Sequence, residues 1–316
     1  MPCQSSEGFI NIPADVPCSV SGRKNLFSLR QTPASVGRPA GFALVELLVV
    51  MAIIGTLAGL ILPAISQARE TARKTECVNN LKQMTLGVCA YESARRVFPP
   101  GVDAIPAGDA LPYGTQHAWS SFILPYIEEQ VLASTINYKA AWNGPGANAL
   151  ASDHTIPLYT CPSGAVTYAG KQDYGGIYGT HIIPSGALAP AANASSNGIM
   201  VAALSAGRWG LPRSQITDGL SNTLLIGEAV DRGHAVETPA PYDNNIRWAW
   251  GTNTFAQNAS FVNIFTEQGM RSNHIGGAYA SFADGRCKFL NDTMNPDVLA
   301  AICTRNGGET LTAEQN

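Results

Sequence analysis

A single carboxylate, Glu46, interrupts an otherwise uncharged apolar run, and no other feature constrains this chain as tightly. From Phe42 to Leu62 the sequence reads FALVELLVVMAIIGTLAGLIL, 21 residues in which only Glu46 ionises. At about 1.5 Å per residue, a helix of that length crosses a hydrocarbon core of roughly 30 Å. A charge inside such a span costs about 2.5–3.5 kcal/mol even on the lenient insertion scale, so it calls for a function and a partner. The run is longer than the apolar core of an ordinary secretory signal, which is about 7–15 residues.

After Pro63 the pattern changes. Val78, Leu81, Met84, Val88 and Tyr91 step by three or four residues and form one apolar stripe, with Lys82, Gln83 and Glu92 off it. That spacing predicts that the helix continues beyond the membrane and lays one face on a globular domain. Pro99-Pro100-Gly101 is expected to end it. Beyond residue 100 the signals are short and β-like. The segments 120–130, 156–164, 176–184 and 197–204 are brief apolar runs bounded by Gly, Pro or Asn. Strands are expected at Thr223–Ile226 and at 246–251 (IRWAWG). AYASFADGRCKFLND (278–292) is the clearest hairpin, because Asp284-Gly285 is a preferred tight-turn dipeptide and glycine accepts positive φ. The economical architecture is an antiparallel sheet packed on the long helix. No internal repeat is present.

Charge and cysteine content narrow the class. Net charge is −3 and charged residues make up 14% of the chain, so no basic face points to nucleic acid. Residues 1–41 are polar, carry five prolines, and read as a disordered leader. Arg23, Lys24, Arg30 and Arg38 precede the span, and Arg69, Arg73, Lys74 and Lys82 follow it, so the positive-inside rule ties. Seven cysteines occur, at 3, 18, 77, 89, 161, 287 and 303, and none has a C-x-x-C or Cys/His zinc spacing. Cys77 and Cys89 on one helix are about 18 Å apart, too far for a disulfide. Cys77 with Cys161, or Cys287 with Cys303, remain as pairs beside the alternative of buried free thiols.

Candidate chemistry is sparse. His274 with Asp284 has the composition of a general base, but Asp284 reads as a turn residue and no G-x-S-x-G nucleophile accompanies them. The same reading as a turn covers Asp218-Gly219. Structural roles are therefore expected: His274 tying its loop to the hairpin, Asp284 capping the turn ahead of Gly285. Asp284, Asn291 and Asp292 supply oxygens close in sequence for calcium, without EF-hand spacing. No other cofactor is expected. Trp248 and Trp250 project to one strand face and are expected to pack there.

Two resemblances add to these readings. GFALVELLVVMAIIG (41–55) resembles the processing segment of type IV prepilins and of type II secretion pseudopilins. This implies cleavage after Gly41 by a prepilin peptidase and N-methyltransferase, with Phe42 as the methylated first residue. It also implies that Glu46 stands at the fifth mature position and Pro63 at the helix-kinking proline. NNLKQ (79–83), FPPG (98–101), LPYIEEQ (124–130), CPSG (161–164), ITDGLSNTLLIGE (216–228) and H-x9-DG (His274 to Asp284-Gly285) resemble a large prepilin-like family, abundant in planctomycete-type bacteria. That family carries a domain of unknown function numbered 1559. Where it often reads DGSVRF, this chain reads DGRCKF.

Together they imply an α+β, pilin-like fold, with a long N-terminal helix packed on an antiparallel sheet and loop-rich insertions. The expected organisation is a cleaved leader (1–41), a transmembrane half-helix (42–62), an amphipathic half-helix (63–98) and a β-rich domain (99–316). The implied role is a structural subunit rather than an enzyme. It would sit in the inner membrane with its leader cytoplasmic and its domain periplasmic or extracellular, and pack through its helix on other pilin-like subunits. The Glu46 carboxylate would pair with a neighbour's terminal amine, since a buried pair is tolerated where a lone charge is not. A different class, a membrane-tethered binding module or hydrolase exported by the same signal, would be favoured by a convergent pocket of titratable groups around His274, and the structural role by a fully packed His274 with its nitrogens satisfied.

Overall fold

The computed structural model describes residues 44–103, 116–180, 197–201, 210–231, 254–257 and 269–308. The chain divides into two units, Met1–Thr56 and Leu57–Asn316. In the first, the described residues are the opening turns of α1 (Leu44–Arg95), and all of them are exposed. Leu47, Leu48, Val49, Val50, Met51, Ile53 and Ile54 cover every side of the helix. A helix apolar all round is stable only in an apolar surrounding, and α1 is long and apolar enough to cross a membrane.

In the second unit α1 acquires a sidedness. The buried face is Cys77, Leu81, Met84, Val88 and Tyr91, with Thr85, Gly87 and Glu92. It differs from the expected stripe at its two ends. Cys77, not the half-buried Val78, leads it. Glu92 is buried because the Arg213 guanidinium pairs with it at 2.8 Å. Gly87 is required by packing: a Cβ there would lie 2.7 Å from Ile127 Cγ2. The helix stops at Arg95, short of the expected 98, because Arg96 turns left-handed (φ 64°) and its N–H closes on the Glu92 carbonyl. The chain has already left the helix when it reaches Pro99.

The sheet has five strands in the order β3-β1-β2-β4-β5. They are β1 (Tyr174–Thr180), β2 (Leu224–Glu228), β3 (Thr254–Gln257), β4 (Gly277–Phe282) and β5 (Cys287–Asn291). Four strands are mutually antiparallel, with Tyr174 opposite Glu228, Leu224 opposite Phe282 and Gly277 opposite Asn291. The fifth, β3, departs from the expected antiparallel pattern and pairs with β1 in parallel. The β4–β5 hairpin turns at Asp284-Gly285, with Gly285 at φ 95°. Strand β2 falls at 224–228, one residue later at its start and two at its end than the expected 223–226.

Apolar side chains cover both faces of the sheet. On one face the α1 stripe packs with Trp119, Ile123, Tyr159, Tyr174 and Leu225. On the other, Ile177, Leu224, Ala278, Ala280, Phe282 and Leu290 pack with Leu299, Ile302 and Cys303 of α5 (Pro296–Cys303). Leu224 and Ile226 share strand parity yet face opposite sides, because a bulge between them shifts the register against β4. Three other short helices, α2 (Trp119–Ile123), α3 (Gln130–Thr135) and α4 (Ala147–Ser152), form the loop-rich insertion. Pro157–Tyr159 is a 3-10 turn rather than a strand, and 198–200 is a bend. The segment IRWAWG with Trp248 and Trp250 lies outside the described residues.

Candidate functional site

Gly41 and Phe42 lie outside the described residues. Glu46 is exposed on the first turn of α1, and Pro63 lies within the helix, whose assignment runs unbroken past it. Asp284 accepts the Arg286 N–H on Oδ1 at 2.9 Å and pairs with its guanidinium on Oδ2 at 3.1 Å. Asn291 Oδ1 accepts from the Thr293 amide and hydroxyl, at the far end of β5 from Asp284. The oxygens considered for calcium are thus split between the two ends of one strand. Asp218 accepts the N–H groups of Gly307 and Gly308.

His274 lies elsewhere than expected. Its ring makes no hydrogen bond to the hairpin turn among the described residues; it points to α1 and β2 and meets Tyr279 of β4 edge-on. Nδ1 is 2.7 Å from Glu70 Oε1, and Nε2 is 3.6 Å from Glu228 Oε1 and 3.9 Å from Cys161 Sγ. The sulfurs of Cys77 and Cys161 are 2.6 Å apart. One ligand-type atom from each of Cys77, Cys161, Glu228 and His274 lies within 4.8 Å of every other, and all four residues are buried. Four separate pieces of the fold converge here: α1, the loop after the 3-10 turn, the last residue of β2, and the loop entering β4.

Each member is held from outside the cluster. Glu70 and Cys77 are seven residues apart, so they share one face of α1. Arg73 also holds Glu70, at 3.0 Å. The Tyr279 N–H donates to Glu228 Oε2 at 2.8 Å, which leaves Oε1 aimed inward; Oε1 accepts no hydrogen bond among the described residues. The Cys161 N–H donates to Asp173 Oδ2 at 2.8 Å. Behind that carboxylate, buried Lys171 bridges Asp173 and Asp231 at 3.0 and 2.8 Å. Asp231 in turn accepts the amides of Ala165 and Val166, fixing the CPSG loop. Gly164 leaves room for this ion triad, because a Cβ there would meet Lys171 Nζ at 2.5 Å.

Burial opposes charge on His274, but Cys161, Glu228 and Glu70 outweigh it and hold the ring up to about 10. Burial likewise opposes charge on Glu70, whose carboxyl is nevertheless held below its usual range by His274 and Arg73. The Cys161 thiol is pushed up by its contact with Cys77 and by burial. Cys161, His274 and Glu70 have the order of a Cys-His-carboxylate relay, yet the physics runs against nucleophilic catalysis. A reactive cysteine has a depressed pKa and access to solvent, whereas this thiol is raised, 4% exposed, and faced by a second sulfur. A groove of about 440 Å³ lies apart from the cluster, lined by Tyr91, Arg95, Phe122, Tyr126 and Tyr138 among others.

Cys287 and Cys303, the other pair considered, pack against opposite faces of the sheet, and all five described cysteines are free thiols. The structure brings together the sulfurs of Cys77 and Cys161, one of the pairs considered, whereas the convergence of Glu228 and His274 on them was missed by sequence reasoning. The signal that could have found it is that Cys161, Glu228 and His274 fall in three of the motifs quoted above, with Cys77 two residues before a fourth.

A family model described as a protein of unknown function (DUF1559) matches residues 66–297, well over half the chain. The prokaryotic N-terminal methylation motif matches residues 37–62. No curated protein and no solved structure matches.

Proposed function

The chain belongs to the DUF1559 family and carries a prokaryotic N-terminal methylation motif, and from that premise we propose that this prepilin-like protein is a structural subunit of a pilus- or secretion-associated filament. Prepilin peptidase cuts after Gly41 and methylates Phe42. The mature helix sits in the inner membrane until assembly, with the leader cytoplasmic and the globular domain on the far side. In the filament the apolar part of α1 packs on other pilin-like subunits, and Glu46 pairs with the Phe42 amine of a neighbour. Chemistry at a catalytic centre is not part of this role.

The observation that carries the reading is the position of the methylation motif at the head of an apolar helix exposed on every side. Such a surface is stable in lipid first and against like helices afterwards, and its one acid then requires a counter-charge. The closed cluster at His274 supports the structural role over export of a hydrolase, because its side chain has no exposure to a substrate.

Mass spectrometry of the native N-terminus tests the proposal together with Glu46→Val. The expected result is an N-methylated Phe42 in both proteins, with sedimentable filaments lost in the variant. A mature chain that keeps residues 1–41, or a Glu46→Val protein that assembles normally, would overturn it.

A further inference from the structure

We propose that Cys77, Cys161, Glu228 and His274 form a zinc-class metal site that fastens α1 to the globular domain. The donor set is two sulfurs, an imidazole nitrogen and a carboxylate oxygen, which suits a borderline-soft divalent ion in four-coordinate geometry. At metal–ligand distances of about 2.0–2.3 Å, tetrahedral donors lie roughly 3.3–3.8 Å from one another. The His274–Glu228 and Cys161–His274 separations, 3.6 and 3.9 Å, are a few tenths of an ångström longer than such donors take and close by that amount on coordination. The two sulfurs, at 2.6 Å, open by about 1 Å on coordination.

The second layer is arranged as metal sites require. A ligating histidine hands its other nitrogen to a carboxylate, which fixes the tautomer and aims the free lone pair inward. Glu70 does this for His274 Nδ1 at 2.7 Å. Tyr279 occupies one oxygen of Glu228 and leaves the other, fully buried, without a hydrogen bond among the described residues. A disulfide between the cysteines would use both sulfurs and leave His274 Nε2 and Glu228 Oε1, 3.6 Å apart, as a separate buried pair; a metal ion employs all four groups. Binding releases the thiol protons and the His274 Nε2 proton, and brings a +2 charge to a cluster of acids.

The site's failure and that of the filament reading are distinguishable, since metal content is measured on the purified chain without assembly. The full chain, purified in detergent under reductant, is assayed for zinc by elemental mass spectrometry and titrated with cobalt(II). One zinc per chain is expected, together with thiolate-to-cobalt charge-transfer bands that zinc abolishes. Both are lost in Cys161→Ser. Glu70 is a positioning residue: Glu70→Gln should keep the bands and weaken zinc affinity about 10–100-fold. The wild-type cobalt titration does not depend on any variant folding. A reduced chain that takes up neither metal, or a native chain in which peptide mapping finds Cys77 bonded to Cys161, would overturn the proposal.

Discussion

The two halves of α1 are built from similar residue types and live by different rules. Between Leu44 and Ile65 the leucines, valines and isoleucines surround the axis and none is buried. Between Cys77 and Tyr91 the apolar residues, the exposed Leu86 apart, keep to one face and several are fully buried. The second half is made stable by its own domain. The first half draws on a surrounding that the chain itself does not provide, so its sequence calls for an external apolar phase. The contrast shows that periodicity, not hydrophobicity alone, tells a helix that folds inward from one that seeks an external apolar phase.

The contrast can be sharpened by substitutions matched across the two halves, scored by denaturation of the purified monomer in detergent. Leu81→Ala, in the fully buried stripe, should cost about 2–5 kcal/mol. Leu48→Ala, on the exposed half, should change stability by less than about 0.5 kcal/mol. Equal losses at the two positions would erase the distinction.

Alkali separates the halves next. The span 42–65 has no tyrosine and only Glu46 as an ionisable side chain, so an alkaline response comes from the domain. Burial, with a smaller contribution from Tyr91, pushes Tyr138 up to about 12. An unfolded tyrosine ionises near 10. Between those values the folded state holds a proton that the unfolded state has lost, so stability declines as pH rises from about 10 to 12. Tyr138→Phe should make that decline shallower by up to one proton's worth. Its lost hydrogen bond to the Ser121 carbonyl lowers stability by a constant amount below about pH 10, so the slope above that is the diagnostic quantity. An unchanged slope would refute the assignment.

The smallest effects carry the clearest sign. Gly87→Ala places a methyl against Ile127, and the overpacking, about 1–3 kcal/mol, outweighs the roughly 1 kcal/mol gained in helix propensity. Gly55→Ala meets nothing within 4 Å and should stabilise the helix by about 0.5–1 kcal/mol. The same substitution thus has opposite signs in the two halves; matching signs would contradict the picture.

Much of this was legible in the sequence because it is local. The span, the helical stripe and the Asp284-Gly285 hairpin each rest on residues close together in the chain. The α5 helix was missed although its signal is local too: Asn295 caps the Asp297 amide and Pro296 opens the first turn. The segment around Pro157 looked extended because a single 3-10 turn is too short to show a period. The Cys77–Cys161–Glu228–His274 cluster was hidden for a different reason. Its members lie up to 197 positions apart, and no spacing rule applies to donors brought together only by the finished fold.

Glu70 and Cys77 grip one centre from points about two turns apart on α1, and that pairing measures the helix's phase. A residue inserted between them would swing one of the two about 100° around the axis and out of reach. Point changes on the solvent side of this stretch leave the phase intact. The solvent-facing positions between 70 and 77 should therefore accept new side chains more readily than any change of length, which makes this short interval a ruler for aligning distant relatives of the chain.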